Sequence, residues 1–112
     1  MATDQDFVDY LVDQMGGPEW MTARKMFGEF ALYSRGKVVA LVCDNQLFVK
    51  PSEAGRAFIG QPDEALPYPG AKPWFLIADR HDDREWITRL IEITAEALPI
   101  ATKRKTARAK RR

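Results

Sequence analysis

The sequence predicts an α+β protein in which helices pack mainly on one face of a single antiparallel sheet. Two observations lead to this prediction. Residues 26–51 contain three apolar runs separated by turn-forming residues, the pattern of an antiparallel meander. Apolar side chains at the helical period lie before and after the meander, at residues 7–15 and 86–98. We therefore expect a helix, three strands, a short helix, one or two strands and a last helix.

The first helix is predicted from an apolar stripe with acidic side chains opposite it. Thr3 and Asp6 resemble a capping box with the shorter acid. Gly16-Gly17-Pro18 should end the helix, because glycine can take the left-handed conformation that closes a helix and proline cannot continue one. Trp20 and Met21 then belong to the connection into the sheet. The stripe consists of Phe7, Val8, Leu11, Val12 and Met15.

The first turn of the meander sets its register. A two-residue turn at Arg35-Gly36 places Leu32 opposite Val39 and Phe30 opposite Leu41, so these four side chains share one face. The other face is also apolar, which is unusual for a half-exposed antiparallel sheet. We therefore expect part of this second face to be covered, and we consider it a candidate homodimer interface. The candidate interface residues are Tyr33, Val38, Ala40 and Val42.

The second turn of the meander leaves two registers open. A three-residue loop at residues 44–46 sends Lys50 to water, and we prefer it for this reason. It places Leu47 and Val49 on the same face as Val39. A two-residue turn at Asp44-Asn45 would reverse these faces.

The segments after the meander are punctuated by proline and glycine. Residues 51–60 are predicted as a short helix that ends at Gly60 and turns Ala54, Ala57 and Phe58 inward. The proline-rich residues 61–73 cannot form a central strand, so we expect a loop with a short edge strand near residues 66–68. Residues 74–78 read as another strand.

The last helix is predicted to start at Asp82, with Glu85 three residues later, and to end before Pro99. Its apolar side chains recur at the helical period, so one side of the helix should be buried. These residues are Trp86, Ile87, Leu90, Ile91, Thr94, Ala97 and Leu98.

The composition argues against membrane insertion and export. The longest uninterrupted apolar run, residues 38–43, is far shorter than the roughly 20 residues that cross a bilayer. The N-terminal residues are acidic, unlike a secretory signal, so we expect a cytoplasmic protein. The single cysteine, Cys43, has no intrachain partner for a disulfide, and we expect a small buried apolar side chain rather than a reactive thiol.

The charge of the chain is divided unevenly. Residues 103–112 hold seven of the 17 Lys and Arg and no acid, which leaves ten bases against 16 acids in residues 1–102. We therefore predict a domain over residues 1–100 and a basic, disordered tail over 101–112 that contacts nucleic acid without sequence preference. The candidate nucleic-acid-binding residues are Lys103, Arg104, Lys105, Arg108, Lys110, Arg111 and Arg112.

No group of residues in the sequence is typical of catalysis, and no metal or cofactor is predicted. His81 lies among acids, but the spacing fits neither an oxygen-ligand loop nor a zinc site. A small enzyme that uses this cluster is our least favoured hypothesis. A base-stacking surface is a further alternative, although core packing is the commoner role for aromatic side chains. It would consist of Trp74, Phe75, Tyr68 and Tyr33 with Lys72 and Lys37.

Several short motifs resemble a known family. They are MFGEFALY at 26–33, GKVVALV at 36–42, LFVK at 47–50, PY at 67–68 and PWF at 73–75. In order and spacing they resemble the N-terminal domain of the TfoX/Sxy family of bacterial competence regulators. The resemblance implies an α-β(3)-α-β(2)-α domain akin to the secretion chaperones, a regulatory or binding role and no known catalytic residues.

The resemblance is to a stand-alone form of that domain, because the competence regulators carry a second domain where this chain has its basic tail. We therefore expect a non-enzymatic cytoplasmic binding or regulatory module. The alternative is a transcriptional regulator of the competence type that acts by contact with a protein of the transcription machinery.

Overall fold

A computed structural model describes residues 3–26 and 29–98. Over these residues it has one six-stranded antiparallel sheet and three α-helices, which confirms the predicted α+β class. The elements are α1 (Gln5–Gln14), β1 (Met21–Met26), β2 (Glu29–Ser34), β3 (Lys37–Cys43), β4 (Gln46–Val49), α2 (Glu53–Ile59), β5 (Asp63–Ala65), β6 (Trp74–Ile77) and α3 (Arg84–Ala97), with a 3-10 turn at Arg80–Asp82. Pro99 and the tail at 101–112 lie outside the described residues. In the described part of the chain, none of the helices has the length and apolar character needed to span a bilayer.

The sheet has the strand order β1-β2-β3-β4-β6-β5, so the predicted meander forms its centre. Strand β1 was not predicted, and it adds a fourth strand before α2. Its sequence, MTARKM, buries only Met21 fully, whereas Arg24 and Lys25 are exposed. Charged side chains are typical of edge strands, where they discourage pairing with other chains.

The helices cover one face of the sheet, and the main core lies between the two layers. Each fully buried Val, Leu, Ile or Phe contributes roughly 1.5–3 kcal/mol to folding, so this layer dominates the stability of the domain. Among its completely buried residues are Val8 and Leu11 of α1, Leu32, Val39, Val42, Leu47, Val49 and Phe75 of the sheet, and Ile87 and Leu90 of α3.

The register of β2 with β3 differs from the prediction because of a β-bulge. Val38 lies opposite Tyr33 and Ala40 opposite Leu32, so Val39 is an extra residue in β3. Beyond the bulge the pairing is shifted by one residue, which turns Leu41 to the face away from the helices. The predicted common face of Phe30, Leu32, Val39 and Leu41 is therefore wrong for Leu41.

The same shift corrects two of the candidate interface residues. Ala40 and Val42 were predicted on the second face, but both have no exposed surface and lie in the core beneath the helices. Tyr33 and Val38 do lie on the second face and are partly buried there. An interface through these residues stays a prediction.

The second turn has two residues, so the preferred three-residue loop is wrong. Cys43 pairs with Gln46, and Asp44 and Asn45 both have positive φ, at +54° and +58°. Asn and Asp tolerate this conformation, which matches the twist of the flanking strands. Leu47 and Val49 still share a core with Val39, as expected, because the bulge offsets the change of turn.

The caps of α1 and α3 lie one residue from their predicted positions. Asp4 rather than Thr3 precedes α1, and the Thr3 hydroxyl donates to the Glu29 carboxylate instead. Asp82 falls in the 3-10 turn, and the Asp83 carboxylate accepts a 3.1 Å hydrogen bond from the Trp86 N–H. In α3 four residues of the predicted stripe are buried, Trp86 and Leu98 are partly buried, and Ala97 is exposed.

Helix α2 begins at Ser52, whose hydroxyl accepts a 3.0 Å hydrogen bond from the Gly55 N–H, and ends at Gly60 as predicted. Its inward side is formed by Gly55 and Phe58, whereas Ala54 and Ala57 are exposed, contrary to the prediction. The edge strand β5 lies at Asp63–Ala65 rather than 66–68. Pro67 lacks the N–H that a strand at 66–68 would need for pairing.

Substitution of Gly55 by alanine should destabilise the protein, although Gly to Ala in a helix normally stabilises by about 0.5–1 kcal/mol. A Cβ at residue 55 would lie 2.9 Å from the Ser52 Oγ and displace the cap. Loss of the cap costs about 0.5–2 kcal/mol and the gain in helix propensity offsets part of it, so we expect Gly55→Ala to lower the free energy of unfolding by up to about 1 kcal/mol, as measured by urea denaturation.

The control is the same substitution in a Ser52→Ala background. The remaining neighbours of the new Cβ, Phe75 and Leu90, lie at 3.5 and 3.6 Å, ordinary contact distances. Gly55→Ala should therefore be neutral or stabilising there. A stabilised single variant would contradict this account of the cap.

Candidate functional site

The face of the sheet opposite the helices, here called the open face, has a small apolar cluster of its own. Four buried residues, Ala31, Leu41, Cys43 and Phe48, form its centre. The surrounding side chains are aromatic, aliphatic or cationic. They include Arg24, Tyr33, Val38, Lys50, Trp74 and Leu76.

Two cation-aromatic pairs lie in one row across the open face. The Arg24 guanidinium lies 5.8 Å from the centre of the Tyr33 ring, and the Lys50 ammonium lies 5.8 Å from the centre of the Trp74 ring. Neighbouring strands connect the two pairs. Tyr33 of β2 lies opposite Val38 of β3, and the carbonyl of the next residue, Val39, accepts a 2.9 Å hydrogen bond from the Lys50 N–H at the end of β4. Each charged group therefore lies over an aromatic ring, whose electron-rich face attracts it.

A groove of about 400 Å³, here called the Trp20 groove, continues this row beyond the edge of β1. Trp20 is 68% exposed, the largest exposed fraction among the apolar side chains of the described residues. Its indole packs on Gly16, where a Cβ would lie 3.3 Å from the ring. The groove is lined by Glu19, Trp20, Thr22, Arg24, Tyr33, Arg35 and Gly36.

Lys37 holds the end of α3 beside this groove. Its ammonium donates to the carbonyl oxygens of Ala95 and Leu98, at 2.7 and 3.0 Å. A cation at the C-terminus of a helix neutralises the negative end of the helix dipole. Leu98 is the last described residue, and Lys37 directly follows the Arg35-Gly36 turn in the sequence.

An apolar pocket of about 390 Å³ opens at the other end of the open face. Its floor includes Leu41 and Cys43, and two exposed side chains, Met26 and Tyr68, stand at its rim. Tyr68 and the buried Pro67 belong to the proline-rich segment, which therefore covers part of the second face, as expected. Glu29, also at the rim, accepts hydrogen bonds from Thr3 and from the Asp44 N–H.

Cys43 is buried, as predicted. Burial, with a smaller contribution from the Glu29 carboxylate, raises the pKa of its thiol from 9.0 to about 11. A thiol that stays neutral is a poor nucleophile, because the thiolate is the reactive form. Cys43 therefore acts as an apolar side chain at the floor of the pocket.

His81 lies in an aromatic cluster between α1 and the 3-10 turn. Its ring meets the rings of Phe7 and Tyr10 edge to face, with centres 5.6 and 5.7 Å apart, and its Nδ1 is 3.4 Å from the Tyr10 hydroxyl. Of the neighbouring acids, Asp83 caps α3. Within residues 3–26 and 29–98 there is no group of three or more His, Cys, Asp or Glu that could hold a metal ion.

The residues of the alternative base-stacking surface do not share one face. Phe75 is completely buried on the helix side, and Lys37 is bound to the end of α3. Tyr33 and Trp74 lie on the open face, and Tyr68 stands at the rim of its pocket. The seven candidate nucleic-acid-binding residues, Lys103, Arg104, Lys105, Arg108, Lys110, Arg111 and Arg112, lie outside the described residues.

Sequence reasoning missed Trp20, Arg24 and Arg35 as members of one site. Trp20 was assigned to a connection, and Arg24 belongs to the strand that was not predicted. The available signal was a tryptophan directly after a Gly-Gly-Pro break and an arginine in a tight turn. Neither feature reveals that the pairing of β1 with β2 brings Trp20 and Arg35 into one groove.

The raised pKa of Cys43 predicts slow alkylation of the folded protein. At pH 8 iodoacetamide should react about 100-fold more slowly with the folded than with the urea-unfolded chain, since the thiolate fraction falls tenfold per pKa unit. Equal rates in the two states would contradict the raised pKa.

The same shift predicts a pH dependence of stability. The Cys43 thiol is neutral below pH 9 in both the folded and the unfolded protein. As the pH rises, the thiol of the unfolded chain loses its proton first, which favours unfolding. The contribution of the neutral thiol to the free energy of unfolding is therefore lost between about pH 9 and 11. The free energy of unfolding, measured by urea denaturation, should decrease more from pH 8 to pH 10 in the natural chain than in Cys43→Ala, which lacks the titrating group.

Comparison with known proteins places the chain in a family. A family model for the TfoX N-terminal domain matches residues 13–98. The uncharacterised 12.7 kDa protein in the trpE 5′ region of Spirochaeta aurantia is 41% identical over 105 residues, which cover 94% of this chain and 91% of that protein. The residues matched by the family model include all six strands of the sheet and the helices α2 and α3. The chain belongs to the TfoX N-terminal domain family.

Proposed function

We propose that this protein is a non-enzymatic, cytoplasmic binding module that contacts nucleic acid through its basic segment at residues 103–112. The observation that carries the proposal is the contact of Lys37 with Ala95 and Leu98. Lys37 directly follows the Arg35-Gly36 turn, and Arg35 lines the Trp20 groove together with Arg24. Cations of the segment and of the folded domain are then available to one polyanion.

The charges of the segment account for affinity without sequence preference. Each phosphate that a cation neutralises releases counterions, which lowers log K by about 0.9 per unit of log salt on duplex DNA. Seven cations therefore support a slope approaching about −6. Contacts of this kind position a protein on nucleic acid and carry no sequence information.

The geometry around the titratable groups supports a role without catalysis. The Cys43 thiol is kept neutral, the opposite of what a nucleophile requires. The His81 ring is packed against Phe7 and Tyr10. Asp83 is occupied as a helix cap.

Removal of residues 101–112 should abolish binding to generic duplex DNA and leave the free energy of unfolding unchanged, because the main core lies within residues 3–98. Fluorescence anisotropy with a labelled duplex, between about 50 and 200 mM salt, measures both the affinity and its salt dependence.

A matched variant with all seven cations replaced by glutamine keeps the chain length and should behave like the deletion. Duplex binding that persists in either variant, or that does not respond to salt, would refute the role of the segment.

A second candidate is a transcriptional regulator of the competence type that acts by protein contact. The apolar pocket favours it, because Met26 and Tyr68 expose apolar surface beside a preformed cavity. A protein of the transcription machinery would place an apolar side chain there. A homodimer through Tyr33 and Val38 is a related possibility, and sedimentation at micromolar concentration distinguishes it from a monomer.

The variant Tyr68→Asp should abolish capture of purified RNA polymerase or of its activator, because a charge at the rim opposes burial of an apolar side chain. Tyr10→Asp, an exposed aromatic on α1, is the matched control and should leave capture intact. Equal capture by the natural chain, Tyr68→Asp and Tyr10→Asp would exclude the pocket as the protein-binding site.

A further inference from the structure

We propose that the Trp20 groove binds the bases and phosphates of single-stranded nucleic acid. This inference rests on the proposed function and specifies its substrate class. The groove combines the two groups that single-strand binding requires, aromatic faces for bases and cations for the backbone. Trp20 and Tyr33 supply the rings, and Arg24 and Arg35 supply the charges.

Trp20 is presented as a fixed platform. The N–H groups of Trp20 and Met21 both donate to the Gly17 carbonyl, each at 3.0 Å. The indole lies against Gly16, where there is no side chain to displace it. An aromatic ring that is 68% exposed and held on a hydrogen-bonded turn offers a face for stacking at a small entropic cost.

The two arginines distinguish this groove from an apolar docking surface. Both are exposed, and neither forms an ion pair with an acid in the described part of the chain. Glu19 is the one acid in the lining. Guanidinium groups bind phosphate oxygens through paired hydrogen bonds, and the guanidinium of Arg24, which lies over the Tyr33 ring, offers a planar surface on which a base can stack.

The partner is single-stranded because a duplex hides its bases. Stacked and paired bases cannot lie against Trp20 or Tyr33, whereas the bases of a single strand can. The row of cation-aromatic pairs continues from the groove at β1 to Lys50 and Trp74. The strand of Trp74, β6, is four strand spacings from β1, which is about 19 Å. A flexible strand can follow this row.

The position of the chain end favours a polymer over a free nucleotide. Lys37, which follows Gly36 of the groove lining in the sequence, donates to the carbonyl of Leu98. Lys103, the first cation of the basic segment, comes five residues after Leu98, a stretch of sequence that spans at most about 17 Å when extended. A long polyanion can contact the groove and the segment together, and a single nucleotide cannot.

The test compares the full chain and its variants with three probes: a dT oligomer of about 15 nucleotides, a U oligomer of equal length, and a DNA duplex of equal length. Trp20→Ala should weaken dT and U binding by roughly 5- to 150-fold, the range for loss of one stacked base, and change duplex binding by less than about twofold. Trp20→Phe should retain most of the single-strand affinity, because it keeps a ring.

The charge variant is Arg24→Gln with Arg35→Asn. Arg35 has a φ of +56°, a conformation that asparagine favours, so the turn is kept while the charge is removed. We expect this variant to lose single-strand affinity and to show a smaller salt slope. The matched controls are Tyr10→Ala and Arg89→Gln, an exposed ring and an exposed arginine on the helices. Circular dichroism confirms that each variant is folded.

Two results would overturn the inference: Trp20→Ala binding dT as tightly as the natural chain, or losing dT and duplex affinity equally. A free nucleotide that binds as tightly as the dT oligomer would also overturn it. The variant that lacks residues 101–112 distinguishes failure of the groove assignment from failure of the proposed function. If the deletion abolishes duplex binding while Trp20→Ala leaves dT binding intact, the groove assignment alone is wrong.

Discussion

The extra residue at Val39 determines which side chains lie on each face of the sheet. It places both Val39 and Ala40 beneath the helices and turns Leu41 and Cys43 to the open face. Without it, Leu41 and its cross-strand partner Phe48 would both lie on the helix side. The bulge therefore supplies apolar contacts to both sides of one strand.

The apolar open face explains the arrangement of cations above it. An antiparallel sheet with one solvated face normally carries polar side chains there. In this protein the charged groups of Arg24 and Lys50 lie over the rings of Tyr33 and Trp74, so cation-aromatic pairs cover part of the apolar face. The same covering leaves a cationic and aromatic surface, so one physical requirement of stability produces the chemistry proposed for binding.

The meander and the last helix were predictable because their apolar periods are regular and their ends are marked by glycine, proline and aspartate. The bulge was not, because residues 38–42 are all apolar and any register buries them. Strand β1 was missed because MTARKM has Thr22 as its one β-branched residue and is held by pairing with β2. The charged segment is visible in the sequence, whereas the Trp20 groove depends on that pairing and on the Arg35 turn.

Lys37 connects these two parts of the molecule. Its ammonium binds the carbonyl oxygens of Ala95 and Leu98 at the end of α3, five residues before the first cation of the basic segment in the sequence. In the proposed mode of binding, a polyanion that contacts the segment has a raised effective concentration at a second site, which reaches millimolar values for short flexible connections. A shallow groove with weak affinity of its own would then be sufficient, because the proposal assigns the electrostatic attraction to the segment and the selection of unpaired bases to the aromatic groove.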